Sequence, residues 1–544
     1  MSNNLTGSVP VTTGIAICVL VLAGAWQPAL SATLCVNPTG ASGCQTSISA
    51  AVSAAASGDT IQVAAGTYKE DVTINKTLSL IGAGSATTII DATGLGNGIN
   101  IDGSAAAPMS GVSGVVVSGF TVENANFQGI VAHNASFVTI WNNQVLNNNK
   151  SLDISGASPT CPGLGVEFEP GEDFDCGEGI NLSGVDHSVV ANNVSQHNSG
   201  GILISDDTGP THDNVISGNL VSDNGYACGI TMASHSGAGV YHNTVTGNQS
   251  LRNGLLVPGE GAGIGIFAAG PGAQTYGNVV VNNQIMGNGL PGVAMHNHAS
   301  VPGAPAIVFN DNMIVGNTIT QNGKDTEDTA TSGTTGINIA SIVAMSGTVI
   351  SGNIISQEAI GLAVRAPGQV TVALNNFNAG SGIQNNGAGT VDATENWWGC
   401  LGGPASIACA SSSGSVVFAP WLTTPFSSTV LPSAPNAGGG GTTPPPTGIT
   451  ILVTGPGGAT SATNTFQTNA SQVALDASQS TSSNPGGLSY SWQPAPGSSS
   501  IGIPGGNTAK PFIQLGKPGT YQVILTVTDS TGATATATIT LQYL

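Results

Sequence analysis

Between residues 129 and 364 the chain repeats one short phrase, glycine then apolar, any residue, apolar. It reads Gly129-Ile130-Val131-Ala132, Gly179-Ile180-Asn181-Leu182, Gly201-Ile202-Leu203-Ile204 and Gly229-Ile230-Thr231-Met232. It continues as Gly263-Ile264-Gly265-Ile266, Gly292-Val293-Ala294-Met295, Gly336-Ile337-Asn338-Ile339 and Gly361-Leu362-Ala363-Val364. Alternate apolar residues mark a short strand with one face turned inward. Between these phrases a second strand ends in asparagine, at Asn143, Asn193, Asn219, Asn243, Asn283, Asn317, Asn353 and Asn376. Another asparagine follows five residues later at Asn148, Asn198, Asn224, Asn248, Asn288 and Asn322. The shortest repeats, Asn353 to Asn376 and Asn193 to Asn219, span 23 and 26 residues.

A repeat of that length cannot bury its own apolar face, so successive copies must stack into a solenoid. Asparagine suits this role because it tolerates left-handed turns and can hydrogen-bond to its copy on the next coil. Strands of successive coils then pair in parallel about 4.8 Å apart. Leucine-rich repeats have a similar period, but their leucine framework is missing here.

The ends of the repeat region fit this picture. Cys44 to Ser57 reads as an alanine-rich amphipathic helix, followed by Gly58-Asp59-Thr60-Ile61-Gln62-Val63, Gly66-Thr67-Tyr68 and Leu78-Ser79-Leu80-Ile81-Gly82. The far end carries Glu395-Asn396-Trp397-Trp398-Gly399-Cys400 and Gly402-Gly403-Pro404. With these motifs, residues 35 to 425 resemble the right-handed parallel β-helix (pectin-lyase-like) superfamily, which includes pectate lyases and polygalacturonases. The resemblance implies that the helix caps the first coil and covers its open edge, and that the two tryptophans form a lid. It is specific for fold and says little about activity.

Residues 431–448 hold Gly438-Gly439-Gly440-Gly441 and Pro444-Pro445-Pro446, a linker flexible and then stiff. Beyond it, Val473-Ala474-Leu475-Asp476, Tyr490-Ser491-Trp492 and Tyr521-Gln522-Val523-Ile524-Leu525 alternate like half-buried strands. Residues 449–544 resemble the PKD family of immunoglobulin-like modules, whose usual role is spacing or adhesion. The expected fold class is all-β: a right-handed parallel β-helix over 33–430 with an N-terminal capping helix, plus a small C-terminal β-sandwich.

Charge narrows the partners. Only 8 Lys and Arg stand against 28 Asp and Glu, for a formal net charge of −20. Nucleic acid and anionic membranes are poor partners for such a surface. The apolar run Ile15 to Ala25 before small residues reads as a signal peptide over 1–32, with an uncleaved anchor as the alternative. No later segment reads as a membrane span, so the mature chain is expected to be a secreted or cell-surface monomer. The close cysteine pairs Cys35/Cys44, Cys161/Cys176 and Cys400/Cys409 are expected as disulfides in an oxidising compartment. Cys228 is left over and reads as a buried thiol.

Chemistry-bearing residues are unevenly spread. All 8 histidines fall between His133 and His298, eleven carboxylates lie between Asp153 and Asp213, and no Lys or Arg occurs from 151 to 251. Counting from each strand glycine, position +4 holds His133, Ser183, Ser205, Ala233, Phe267, His296, Ala340 and Arg365. Position +6 holds Asp207, His235, Ala269 and His298. Equal offsets stack, so Asp207 and His235 are expected to be neighbours. Insertions before and after this strand would frame a groove, the default place for a site.

Glycoside hydrolysis uses one carboxyl to protonate the leaving oxygen and another to activate water or attack. Asp206, Asp207 and Asp213 are the candidates, with His235 adjacent; His296, His298, Glu260, Arg252 and Tyr276 are candidate substrate contacts. Ser205-Asp206-Asp207 followed by Ser234-His235-Ser236-Gly237 is similar to the Asp-Asp and His of polygalacturonases. Their Arg-Ile-Lys motif for a substrate carboxylate is absent, which favours a neutral or weakly acidic glycan. No cofactor is required on this reading. A lyase or epimerase would need a cation instead, and calcium held by Glu167, Glu169, Asp173 and Asp175 is a possible source; the same segment also reads as a solvated acidic loop. His296 and His298 could together ligate a transition metal, or be surface residues. Two functions stay open: a polysaccharide-degrading enzyme, and a non-catalytic protein that binds a polysaccharide or cell-surface glycan.

Overall fold

The computed structural model describes residues 31–104, 111–153, 155, 161, 177–256, 261–297, 305–326 and 329–427. In the C-terminal part it describes 449–450, 453–455, 465–468, 472–478, 480–482, 488–494, 501–503, 508–515, 519–528 and 534–543. Residues 1–30 of the signal peptide expected over 1–32, and the linker expected over 431–448, lie outside them.

From Thr33 to Val417 the chain winds into a solenoid of three sheets, all paired in parallel. One coil runs Val215–Ser217, Leu220–Ser222 and Ile230–Ser234, giving one strand each to a first, second and third sheet. The glycine-led phrases form the third sheet. Their inward residues stack as Ile180, Ile202, Ile230, Ile264, Val293, Ile337, Leu362 and Ile383. All of these are at most 1% exposed, and each such burial is worth roughly 1.5–3 kcal/mol.

The sequence shows two strands and two asparagine columns per coil; the structure has three of each. The strand missed is that of the second sheet, such as Gln144–Leu146, squeezed between two ladder asparagines. The first ladder runs through Asn143, Asn193, Asn219, Asn248, Asn283, Asn317, Asn353, Asn375 and Asn396. The second runs through Asn148, Asn198, Asn224, Asn253, Asn288 and Asn322. A third links Asn214, Asn243, Asn278 and Asn312. Asn243 and Asn248 therefore sit one ladder away from where spacing alone put them, and Asn375 rather than Asn376 continues the first. In each ladder the side-chain oxygen accepts from the main-chain and side-chain N–H of the asparagine one coil earlier, as Asn219 does from Asn193 at 2.9 and 3.0 Å. Buried backbone at the corners is satisfied in this way.

Each ladder residue follows a corner residue with positive φ. Asn142, Asn192, Asn282 and Gly316 precede the first ladder, His197, Asp223 and Arg252 the second, and Asp213 and His242 the third, while His187 holds the equivalent corner one coil earlier, before Ser188. Asparagine, aspartate and histidine are the side chains most at home in that conformation.

The capping helix is Ile48–Ala54, shorter than the expected Cys44–Ser57. Ser47 caps it, and the Glu70 carboxylate accepts from the Ile48 and Ser49 amides at 2.8 Å. At the far end Trp398 is fully buried against Phe377, a lid as the motif implied. Disulfides join Cys35 to Cys44 and Cys400 to Cys409. Cys161 is disulfide-bonded, while Cys176 lies outside the described residues. Cys228 packs, half-buried, beside Ala262, Leu290 and Ala294. The C-terminal module pairs Ser489–Pro494, Gly519–Thr528 and Thr534–Tyr543 antiparallel. Its own core holds Phe466, Trp492, Val523 and Leu541.

Candidate functional site

The strand Gly200–Ser205 belongs to the third sheet, and its register sets Ser205 between Ser183 and Ala233. The chain then leaves the sheet over residues 206–210 and rejoins it at Thr211–His212. Thr208 pins this excursion to the coil below, its amide and hydroxyl bonding the Ser183 hydroxyl and carbonyl at 3.0 and 2.8 Å.

Asp206 and Asp207 part company here. Asp206 is fully buried. One carboxylate oxygen accepts from the His235 and Ser236 amides at 2.7 and 3.0 Å. The other accepts from the Ser234 hydroxyl and the Gly239 amide at 2.8 and 2.7 Å. With four donors its acceptor capacity is used up, so it has nothing left for a substrate, a water or a metal ion. Its work is to shape the turn 234–239 of the next coil.

Asp207 faces the solvent, with its side chain 34% exposed. Its Oδ1 lies 2.9 Å from His235 Nδ1, and its Oδ2 accepts from the Ser205 hydroxyl at 2.7 Å. Burial pushes the Asp207 carboxyl up. The hydrogen bond and charge of His235, the Ser205 hydroxyl and the charge of His133 outweigh it and hold Asp207 below the ordinary aspartate range. The His235 ring is only 4% exposed. The site is therefore an ionised carboxylate at the surface, backed by an enclosed imidazole from the next coil. His133, aligned with Ser183 on the third sheet, was not singled out for a role from sequence; its place in the +4 column was the available signal.

The other candidates lie elsewhere. Asp213 sits at the corner before Asn214, bonded to His212 at 2.8 Å and grouped with His187 and His212 rather than with Asp207 and His235. Tyr276 stacks on Tyr241 at that same corner, ring centroids 4.9 Å apart. Arg252 occupies a corner of the second ladder and forms a two-pronged ion pair with Asp223 at 2.7 and 2.6 Å. His296 is enclosed, its Nε2 3.0 Å from the Thr329 hydroxyl and 3.7 Å from the buried Asp325. His298, Glu260, Glu167, Glu169, Asp173 and Asp175 lie outside the described residues, so calcium has no described ligands to weigh. A cavity of about 320 Å³ is lined by Lys150, His197, Asp223, Tyr226 and Leu256. It does not touch Asp207, and the ionised carboxylate marks reactive chemistry better than that concavity does.

Residues 79–280 match a family model described as the right handed beta helix region. The solenoid is a right-handed β-helix. Residues 462–542 match a second family model, described as a PKD domain. No curated protein matches the chain. Similar solved structures include an alginate lyase from Paenibacillus sp. str. FPU-7, at 14% identity over 71% of this chain and 99% of that one, with a TM-score of 0.39. A mannuronan C-5 epimerase A-module from Azotobacter vinelandii shows 15% identity over 69% and 94%, with a TM-score of 0.38. The catalytic unit of an α-1,3-glucanase from Streptomyces thermodiastaticus strain HF3-3 shows 17% identity over 76% and 73%, with a TM-score of 0.40. With TM-scores below one half, these likenesses say nothing about what this β-helix acts on.

Proposed function

We propose that this β-helix is a secreted polysaccharide-acting enzyme whose reactive centre is Asp207 paired with His235. The observation that carries the reading is the 2.9 Å contact between an ionised, solvent-facing carboxylate and an enclosed imidazole on consecutive coils. Asp207 accepts a proton from water or from the bound glycan, and His235 holds the carboxylate in its charged form. A linear polymer suits a scaffold whose equivalent positions repeat along one axis. A neutral or weakly acidic glycan fits best, because the stretch 151–251 has no Lys or Arg to meet a substrate carboxylate. The two disulfides suit an oxidising, extracytoplasmic compartment. Among the described residues no helix is long and apolar enough to cross a membrane. The PKD-like module then serves as spacer or adhesive element.

One observation favours a second reading, a glycan-binding protein without turnover. Asp206 is saturated and Asp213 belongs to a corner, so neither stands ready as the second carboxyl of a glycosidase.

The test incubates wild type and Asp207→Asn with alginate, mannuronan, pectin and α- and β-glucans. New reducing ends, unsaturated-product absorbance and polymer retention are followed in parallel. Product from wild type and a loss of about 100-fold or more in Asp207→Asn support the enzyme. Retention without product supports the binding protein. Equal turnover in both removes Asp207 from the chemistry.

A further inference from the structure

We propose that the third-ladder corner formed by His187, His212, Asp213 and His242 binds a divalent transition-metal ion, with Zn²⁺ as the best-suited case. Register creates the arrangement. Asp186, His212, Tyr241 and Tyr276 align on successive coils. The residue after each of the first three, His187, Asp213 and His242, holds a positive-φ corner position. The dipeptides Asp-His, His-Asp and Tyr-His therefore stack in alternation, and Asp213 ends up among three imidazoles.

Asp213 Oδ2 lies 2.8 Å from His212 Nδ1, and its Oδ1 lies 3.9 Å from His242 Nδ1. His187, His212 and Asp213 present ligand atoms that all lie within 4.8 Å of one another. Tetrahedral zinc needs its ligand atoms about 3.3 Å apart, given metal–ligand bonds near 2.0–2.1 Å, so small side-chain rotations close the set. These rotations are available, since the His187 side chain is 49% exposed and that of His242 50%.

Two features go beyond a chance cluster. Asp186 Oδ1 lies 2.6 Å from His187 Nδ1, the carboxylate–histidine arrangement that orients an imidazole and leaves its Nε2 for a metal. Rings are also held by stacking, His187 against Phe137 at 5.2 Å and His212 against Tyr241 at 4.7 Å. Imidazole nitrogens with one carboxylate suit zinc and its neighbours, whereas calcium demands six to eight oxygens. The other close group, Asp206, Asp207 and His235, is a poor rival because Asp206 has no acceptor capacity left. A bound ion would clasp consecutive coils at the edge of the solenoid.

The test is calorimetric titration of the tag-free full chain with zinc chloride, alongside His187→Asn, His212→Gln and Asp207→Asn. Asparagine keeps the left-handed corner at 187, so His187→Asn carries the test even if His212→Gln folds poorly. The expected result is saturable uptake of one ion per chain, weakened tenfold or more in both corner variants and unchanged in Asp207→Asn. A zinc-dependent rise in melting temperature should likewise vanish in the corner variants. No saturable uptake, uptake indifferent to the corner variants, or uptake abolished by Asp207→Asn would each overturn the proposal.

Discussion

Asp207 and His235 come from consecutive coils, 28 residues apart in sequence, and meet at 2.9 Å. The residue just before Asp207, Asp206, points into the coil junction and is sealed there. One step in sequence thus separates a surface carboxylate from a structural one, and the two should respond oppositely to substitution.

Asp206→Ala should cost stability rather than chemistry. It strands three amides and a hydroxyl that converge on a buried carboxylate, a loss on the order of 3–5 kcal/mol. Asp207→Asn keeps one accepting oxygen for its two partners, Ser205 and His235, and should shift the unfolding midpoint less while lowering turnover. Denaturant titration of both variants checks this, and a stable Asp206→Ala protein would contradict the role assigned to that residue.

Substituting His235 tests how Asp207 is kept charged. His235→Gln removes the imidazole, whose hydrogen bond and then charge are the main influences opposing burial of the Asp207 carboxyl. The Asp207 pKa should rise, so the acid limb of the pH–rate profile should move to higher pH. An unmoved acid limb would place the working group elsewhere.

The ladders give a stability prediction independent of function. Asn219→Ala removes the acceptor of the Asn193 amide and of one Asn193 side-chain N–H, and takes one donor each from the Val190 carbonyl and the Asn248 side-chain oxygen. The expected cost is about 2–4 kcal/mol, read as a lower denaturation midpoint. A corner change such as Gly247→Asn should cost far less, because asparagine tolerates positive φ and nothing lies within 4 Å of an added Cβ there.

Much of this architecture was legible because glycine-led alternation and asparagine spacing report directly on coil geometry. The meeting of Asp207 and His235 followed from counting offsets along that register. The third ladder was not legible, since Asn214, Asn219 and Asn224 are evenly spaced by five and any two columns look like any other two. The second-sheet strands were missed because each lies wholly inside the five-residue gap between two ladder asparagines. Corner conformation also obscured the site. Aspartate and histidine are enriched at left-handed corners for steric reasons, so part of the clustering that suggested catalysis reflects positions such as His187, His197, Asp213, Asp223 and His242. The fate of Asp206 depended on which amides its turn presented, a tertiary detail that no local pattern encodes.

Glu358 ends the second ladder where an asparagine would otherwise stand. Its Oε1 accepts from the Asn322 amide and side-chain N–H at 2.9 and 3.1 Å. Burial, only partly offset by those bonds, raises its pKa from 4.5 to about 7. Between those values the folded chain holds a proton that the unfolded chain has lost, so stability falls as pH rises through this window and levels off above it. Glu358→Gln keeps the accepting oxygen and cannot ionise. The wild type should therefore lose roughly 1–3 kcal/mol relative to the variant between pH 4.5 and pH 8. Parallel denaturation curves of the two proteins across that range check this; equal slopes would show that Glu358 is already ionised in the folded ladder.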